Sequence, residues 1–168
     1  MLAFVTIVCC PLLLALGAMA DLVSYKIPNW IPLALLALFI AAAILSGMTL
    51  AHFGQHFIVL AVALAAGMAL WSFRLIGGGD AKLLAAAAIW MGPSHIFEYC
   101  LIFAVVGGVF TLALLIARNR PMPAFTARVP FLTHLLNPKS GLPYGVALGL
   151  GALIVLPSTP LFKLALSS

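Results

Sequence analysis

Gly77-Gly78-Gly79-Asp80-Ala81-Lys82-Leu83-Leu84 sets a glycine triplet and a carboxylate between two long apolar runs near the middle of the chain. The whole chain carries three acidic residues, Asp21, Asp80 and Glu98, and both aspartates adjoin hydrophobic segments. With 65% hydrophobic residues, 7% charged residues and a mean hydropathy of +1.28, 168 residues cannot cover their apolar surface in water. A bilayer removes that difficulty. The expectation is an all-α, polytopic integral membrane protein with about six transmembrane helices of roughly 20 residues each, which leaves no room for a separate soluble domain.

The net charge of +5 comes from basic residues scattered between apolar runs, so they form no nucleic-acid patch and read as topology signals. Cys9 and Cys10 are adjacent and Cys100 is alone, which suits neither a zinc site nor a disulfide framework. They read as small packing residues.

Working outward, Leu2 to Ala20 is the first apolar run, with Pro11 as a kink. No Lys or Arg precedes Lys26, so this run reads as a span and not as a cleaved signal. Span two covers Ile31 to Ala51, a turn follows at His52 to His56, and span three runs from Phe57 to Ile76. Span four runs from Asp80 to Gly92-Pro93 and span five from Ile96 to Ala117. Arg118 to Leu142 is the one long loop, with a short interfacial helix over Val129 to Leu136, and span six starts at Pro143-Tyr144-Gly145. Ala61, Ala65 and Ala69 form a small-residue stripe, and Gly145 and Gly149 form a GxxxG pattern suited to close helix approach.

Span four is short, about 18 Å from Asp80 to Gly92 at 1.5 Å per residue, against a hydrocarbon core of about 30 Å. Asp80 therefore lies below the headgroups, while Asp21, ending a longer run, sits shallower unless span one tilts. A lone Asp before an Ala/Leu run reads equally well as a helix cap. The two together say more, because they share one side, each has a lysine nearby (Lys26, Lys82), and a glycine triplet precedes one of them. Two close carboxylates cannot both ionise easily, so one removes a proton from water while the other donates to a carbonyl oxygen. That chemistry is amide hydrolysis. Ser, His and acid form no triad, and His52 and His56 lack both a third ligand and the glutamate of a zinc-protease helix, so no metal site is expected.

Asp21-x-x-x-x-Lys26-Ile27-Pro28-Asn29 and Gly77-x-Gly79-Asp80-x-Lys82-Leu83 resemble the two signature motifs of the type IV prepilin peptidases, the GxGD aspartyl membrane proteases. The short form that serves Flp/Tad pili is the most similar, and Pro143-Tyr144-Gly145 resembles its last-span motif. The resemblance implies one membrane-embedded peptidase domain over 1–168, with Asp21 and Asp80 catalytic. It places Gly77, Gly79, Lys82, Pro143, Tyr144 and Gly145 as substrate-binding or site-shaping residues. It also implies no cofactor, prepilin or pseudopilin precursors as partners beside the lipid bilayer, and a bacterial inner-membrane location with the active site facing the cytoplasm. Longer relatives carry a loop of paired CxxC zinc ligands and an N-methyltransferase activity. This chain has no CxxC and only Asp21 to Asn29 between its first spans, so peptidase activity without methylation is implied.

Two readings from other classes stay open at this point. One is a small transporter or channel with intramembrane aspartates as ion or proton sites; the other is a non-catalytic pilus-assembly subunit that only binds pilins. Lys26, Arg74, Lys82, Arg118, Arg120, Arg128 and Lys139 fall on one side of this topology and only Lys163 on the other. By the positive-inside rule a reporter fused after Ser168 is therefore periplasmic and one inserted near Thr126 is cytoplasmic. Both reporters on one side would mean that a span has been miscounted.

Overall fold

The computed structural model describes residues 1–119, 130–137 and 140–167, and they are helical almost throughout. A π-helical turn, Phe4–Cys9, runs into α1 (Cys10–Ser24). Then come α2 (Trp30–Leu45), α3 (Leu50–Ser72), α4 (Gly78–Arg118), α5 (Pro130–Leu136), α6 (Tyr144–Val155) and α7 (Pro160–Ser167). Among the described residues three helices are long and apolar enough to cross a bilayer, or four if the bent pair Tyr144–Ser158 and Pro160–Ser167 is one span. Splitting α4 at its break and adding the shorter α2 gives six apolar segments, in keeping with the expected all-α membrane class. Ile58, Val62, Phe97 and Val109 are all more than half exposed. Outward apolar faces of this kind need lipid against them.

Pro11 expresses itself as a widened turn. It has no N–H, and its ring crowds the carbonyl four residues back. The chain responds just before it with a π turn, in which the Cys10 N–H reaches the Val5 carbonyl.

The turn expected at His52 to His56 is not there. Both histidines lie inside α3, and the break comes earlier, at 46–49. Gly47 takes a left-handed φ of 66°, and the N–H groups of Gly47 and Met48 close back on the carbonyls of Ile44 and Ala43. This is a Schellman ending. Thr49 then caps α3 by accepting from the His52 N–H at 3.4 Å. The far end of α3 closes in the same way with Arg74 at φ 60°, where the Leu75 and Arg74 N–H groups reach Leu70 and Trp71. Span two is therefore shorter than expected and span three begins earlier.

α4 is the central helix, packed mainly on α3 and α6, while α1 packs on α6 and α2 on α4. It breaks where expected, because Gly92 has φ 62° and ψ −175° and is followed by Pro93. Pro93 cannot donate to the Ile89 carbonyl. His56 of α3 supplies the missing partner, with Nδ1 at 2.6 Å from Ile89 O. The ring lies so close that a Cβ at Gly92 would stand 2.4 Å from its Cε1. The histidine read as a turn residue is thus a cross-helix patch for a proline break.

The alanine stripe also needs correcting. Ala61, Ala65 and Ala69 face outward, and α3 meets α4 through Ala63 and Gly67, the latter 3.0 Å from Ala81 by its absent Cβ. Ala85 to Ala88 are buried as expected. Of the cysteines Cys10 is buried but Cys100 is exposed, so only the former is a packing residue. The short helix in the long loop exists as α5 and touches α1 and α4; Val129, Arg120, Thr126, Arg128 and Lys139 lie outside the described residues.

His56→Ala leaves the Ile89 carbonyl without its partner and opens space beside Gly92. It is expected to destabilise by about 1–3 kcal/mol and lower the unfolding temperature in detergent by roughly 2–10 °C. A shift no larger than that of His52→Ala, an exposed residue of the same helix, would show that the bond contributes nothing.

Candidate active site

α1 extends to Ser24, so Asp21 stands within its last turn and not beyond its end. The Tyr25 N–H bonds the Asp21 carbonyl at 2.8 Å, and Tyr25 ends the helix with a left-handed φ of 53°. Only 25–29 remain as the connection to α2. Both aspartates lie inside the bundle, Asp21 with 4% exposure and Asp80 with 6%.

Each carboxyl is held by a helix N-terminus. Pro143, at the N-cap of α6, offers no side-chain acceptor. Asp21 reaches across from α1 instead, and its Oδ2 accepts the Gly145 N–H at 2.7 Å, with the Val146 N–H also directed at it. The orphan donors and the positive end of the helix dipole both favour an acidic group there. Asp80, three residues into α4, accepts the Gly77 N–H on Oδ2 at 2.9 Å. This is the reciprocal half of a capping box, the only half a glycine N-cap permits. One donor of the glycine triplet is thus used internally. The other oxygen, Asp80 Oδ1, is buried and has no hydrogen-bond partner among the described residues.

The two carboxyls meet because glycines let the helices close. A Cβ on Gly145 would stand 2.8–2.9 Å from Cβ, Cγ and Oδ2 of Asp21, and one on Gly149 2.8 Å from Ala18 Cβ. The GxxxG pattern of α6 is the surface that seats α1. Gly79 does the same for the first connection, its absent Cβ 3.2 Å from Ile27 Cβ. Asp21 and Asp80 consequently line one cavity of about 360 Å³, walled by 77–79 and by Tyr25, Lys26, Ile27 and Asn29. They are close enough to feel each other's charge, and the Gly145 N–H faces both.

Of the expected site residues, the structure brings together Asp21, Asp80, Gly77, Gly79 and Gly145. Lys82 turns to the rim, where Nζ donates to Asn29 Oδ1 at 2.8 Å. Pro143 is buried behind the site, and Tyr144 faces a neighbouring apolar groove. Asn29, the last residue of the first motif, also lines the cavity, as does Tyr25, which falls at an unspecified motif position and which sequence reasoning did not single out. Burial pushes the Tyr25 hydroxyl above its ordinary pKa, opposed by the Arg118 guanidinium beside it. Tyr25 is therefore a neutral hydroxyl at physiological pH. Arg118 is more than a topology charge, because it donates to the carbonyls of Leu135, Ser140 and Gly141 at 2.9–3.0 Å and ties the end of α4 to the approach of α6.

Among the described residues, no group of three His, Cys, Asp or Glu side chains is placed to hold a metal ion. A sequence model of the type IV leader peptidase family matches residues 7–112, which includes both aspartates and the glycine triplet and stops short of α6. No curated protein and no solved structure matches.

Gly145→Ala places a methyl group inside the Asp21 carboxyl. A destabilisation of about 1–3 kcal/mol is expected by thermal unfolding, against under about 0.5 kcal/mol for Gly141→Ala, where a Cβ meets open space. Equal effects at the two glycines would mean that α1 and α6 are not in the contact described.

Proposed function

The chain belongs to the type IV leader peptidase family, and on that premise we propose that it is a membrane aspartyl endopeptidase whose catalytic pair is Asp21 and Asp80. Its substrates are type IV, Flp-like prepilins, cut at the cytoplasmic face of the bacterial inner membrane. The observation that carries this reading is the convergence of the two aspartates. Each carboxyl is fixed by a backbone N–H, and both line one cavity in which a water and a scissile amide can reach them.

The chemistry follows from the pair. One carboxylate takes a proton from water as the oxygen attacks the scissile carbonyl carbon, and the partner acid protonates the carbonyl oxygen. The tetrahedral intermediate then collapses. The C–N bond breaks as the carboxyl that received the water proton passes a proton to the leaving amine, and the partner carboxylate takes a proton back from a hydroxyl of the intermediate, which restores the starting pair. The backbone N–H groups of Gly77 and Gly145 hold the two carboxyls in register. The remaining glycine N–H groups border the cavity where a substrate strand enters. The connection at 25–29 is too short to carry a zinc-binding loop, which supports peptidase activity without N-methylation.

Asparagine keeps a carbonyl oxygen able to accept the Gly145 or Gly77 N–H but cannot exchange the proton. Asp21→Asn and Asp80→Asn are each expected to slow precursor processing by about 10²–10⁴-fold while the unfolding temperature stays near wild type. Gel mobility of a co-expressed precursor reads the first quantity. Near-normal cleavage by either variant removes that aspartate from the mechanism. Unchanged cleavage with altered ion flux would favour a transporter instead.

A further inference from the structure

Arg118 ends α4 and lies beyond the residues that the family model matches, 7–112. All three nitrogens of its guanidinium donate to backbone carbonyls. Nε reaches Leu135 O at 3.0 Å, and the two terminal nitrogens reach Ser140 O at 3.0 Å and Gly141 O at 2.9 Å. The buried Tyr25 hydroxyl lies beside the same guanidinium. The end of α1, the end of α5 and the approach to α6 therefore meet on one side chain.

Two of these segments hold Asp21. Tyr25 donates its N–H to the Asp21 carbonyl at 2.8 Å, and 140–141 lead into Gly145, whose N–H meets the Asp21 carboxyl at 2.7 Å. A circuit thus closes on Asp21, out through Gly145 to Arg118 and back through Tyr25 and the last turn of α1. The backbone at Tyr25 is a second sign of constraint. Its φ of 53° is left-handed, a conformation in which a Cβ is crowded and glycine is the usual helix-ending residue. A bulky residue persists there only when its surroundings over-determine it. The Tyr25 side chain lines the aspartate cavity, while its hydroxyl is set against Arg118.

We infer that Arg118 is a positioning residue for Asp21, acting through Tyr25 on the end of α1 and through 140–141 on the start of α6. This rests on the peptidase reading and adds to it a residue that does not itself line the aspartate cavity. Geometry demands arginine here. The planar fork carries five N–H donors at fixed angles, so one group meets three carbonyls and still faces a hydroxyl. A lysine ammonium keeps the charge but is a single point on a flexible stem, and it cannot hold two segments in register. Without the clamp α1 and α6 shift against each other, and a misplacement of about 1 Å costs a chemical step about 100-fold.

The test measures precursor cleavage by the full-length protein over a range of precursor concentrations. Arg118→Lys retains the positive charge that orients the chain. It should lower kcat at least about tenfold and leave KM within about twofold, because the carboxyl pair is misaligned while the cavity still binds. Tyr25→Phe removes only the hydroxyl and should lower kcat about two- to tenfold, the share of one hydrogen bond. The double variant should fall no more than about twofold below Arg118→Lys, since both substitutions break one link. Arg74→Lys, at an exposed helix end with the same left-handed turn, should stay within about twofold of wild type. Wild-type kcat in Arg118→Lys, a loss carried by KM, or additive losses in the double variant would each overturn the inference. So would a loss that vanishes when rates are expressed per folded molecule, which marks a purely structural role. Where Arg118→Lys does not fold, Tyr25→Phe decides: a lower kcat at constant KM supports the clamp, and an unchanged kcat overturns it. If wild type cuts no precursor, the peptidase reading falls and the clamp with it. If wild type cuts and the variants match it, the clamp alone falls.

Discussion

The contact between the Gly145 N–H and the Asp21 carboxyl, 2.7 Å long and spanning 124 residues of chain, organises the bundle. A helix that starts after proline inside apolar surroundings has unmet donors and a positive end. A buried carboxyl has the opposite need. Joining them is worth about 1.5–3 kcal/mol for a bond to a charged group, and more is lost if either partner is removed. The bond forms only because Gly145 and Gly149 have no side chains, so α1 comes within van der Waals reach of α6. α6 in turn packs along α4, which carries Asp80. One hydrogen bond thus fixes the position of both aspartates.

The second constraint is the break in α4. The first limb, 78–91, is about 21 Å long and falls short of a hydrocarbon core of about 30 Å. Gly92 and Pro93 end it early, and the cost of ending a helix in an apolar interior is one orphan carbonyl, which His56 meets from α3. Trp90 secures the same region by donating to the Leu35 carbonyl at 3.1 Å, with Phe39 edge-on to its ring. The proline break on one side and the glycine triplet on the other set the length of the limb that carries Asp80.

These constraints give each aspartate two roles. Both act as helix caps, which orders one oxygen, and both line a small polar cavity inside an otherwise apolar bundle. Capping restrains the carboxyls, and no salt bridge to them occurs among the described residues. Lys82 is diverted to Asn29, and Arg118 to Tyr25 and the carbonyls before α6. Among the described residues these cations thus organise the rim, and under the proposed mechanism proton exchange is left to the two acids.

Composition alone determined the solvent, since residues this apolar can form no soluble core. Local chemistry determined the breaks at Pro11, 77–79 and Gly92-Pro93, and the rarity of carboxylates marked Asp21 and Asp80. GxxxG at 145–149 was readable for the same reason, because only a close helix approach repays two bare backbones at that spacing. The end of α2 was equally local in Ser46-Gly47-Met48-Thr49, but two histidines drew the boundary to 52–56. What sequence could not decide was orientation around uniformly apolar helices. On α3 every face is hydrophobic, so nothing local distinguishes Ala63 and Gly67, which pack, from Ala61, Ala65 and Ala69, which do not. The same limit hid Tyr25, the diversion of Lys82 and the role of His56, because each depends on which orphaned backbone group or side chain stands opposite. That pairing is a property of packed helices, and it exists only once the tertiary structure has chosen their faces.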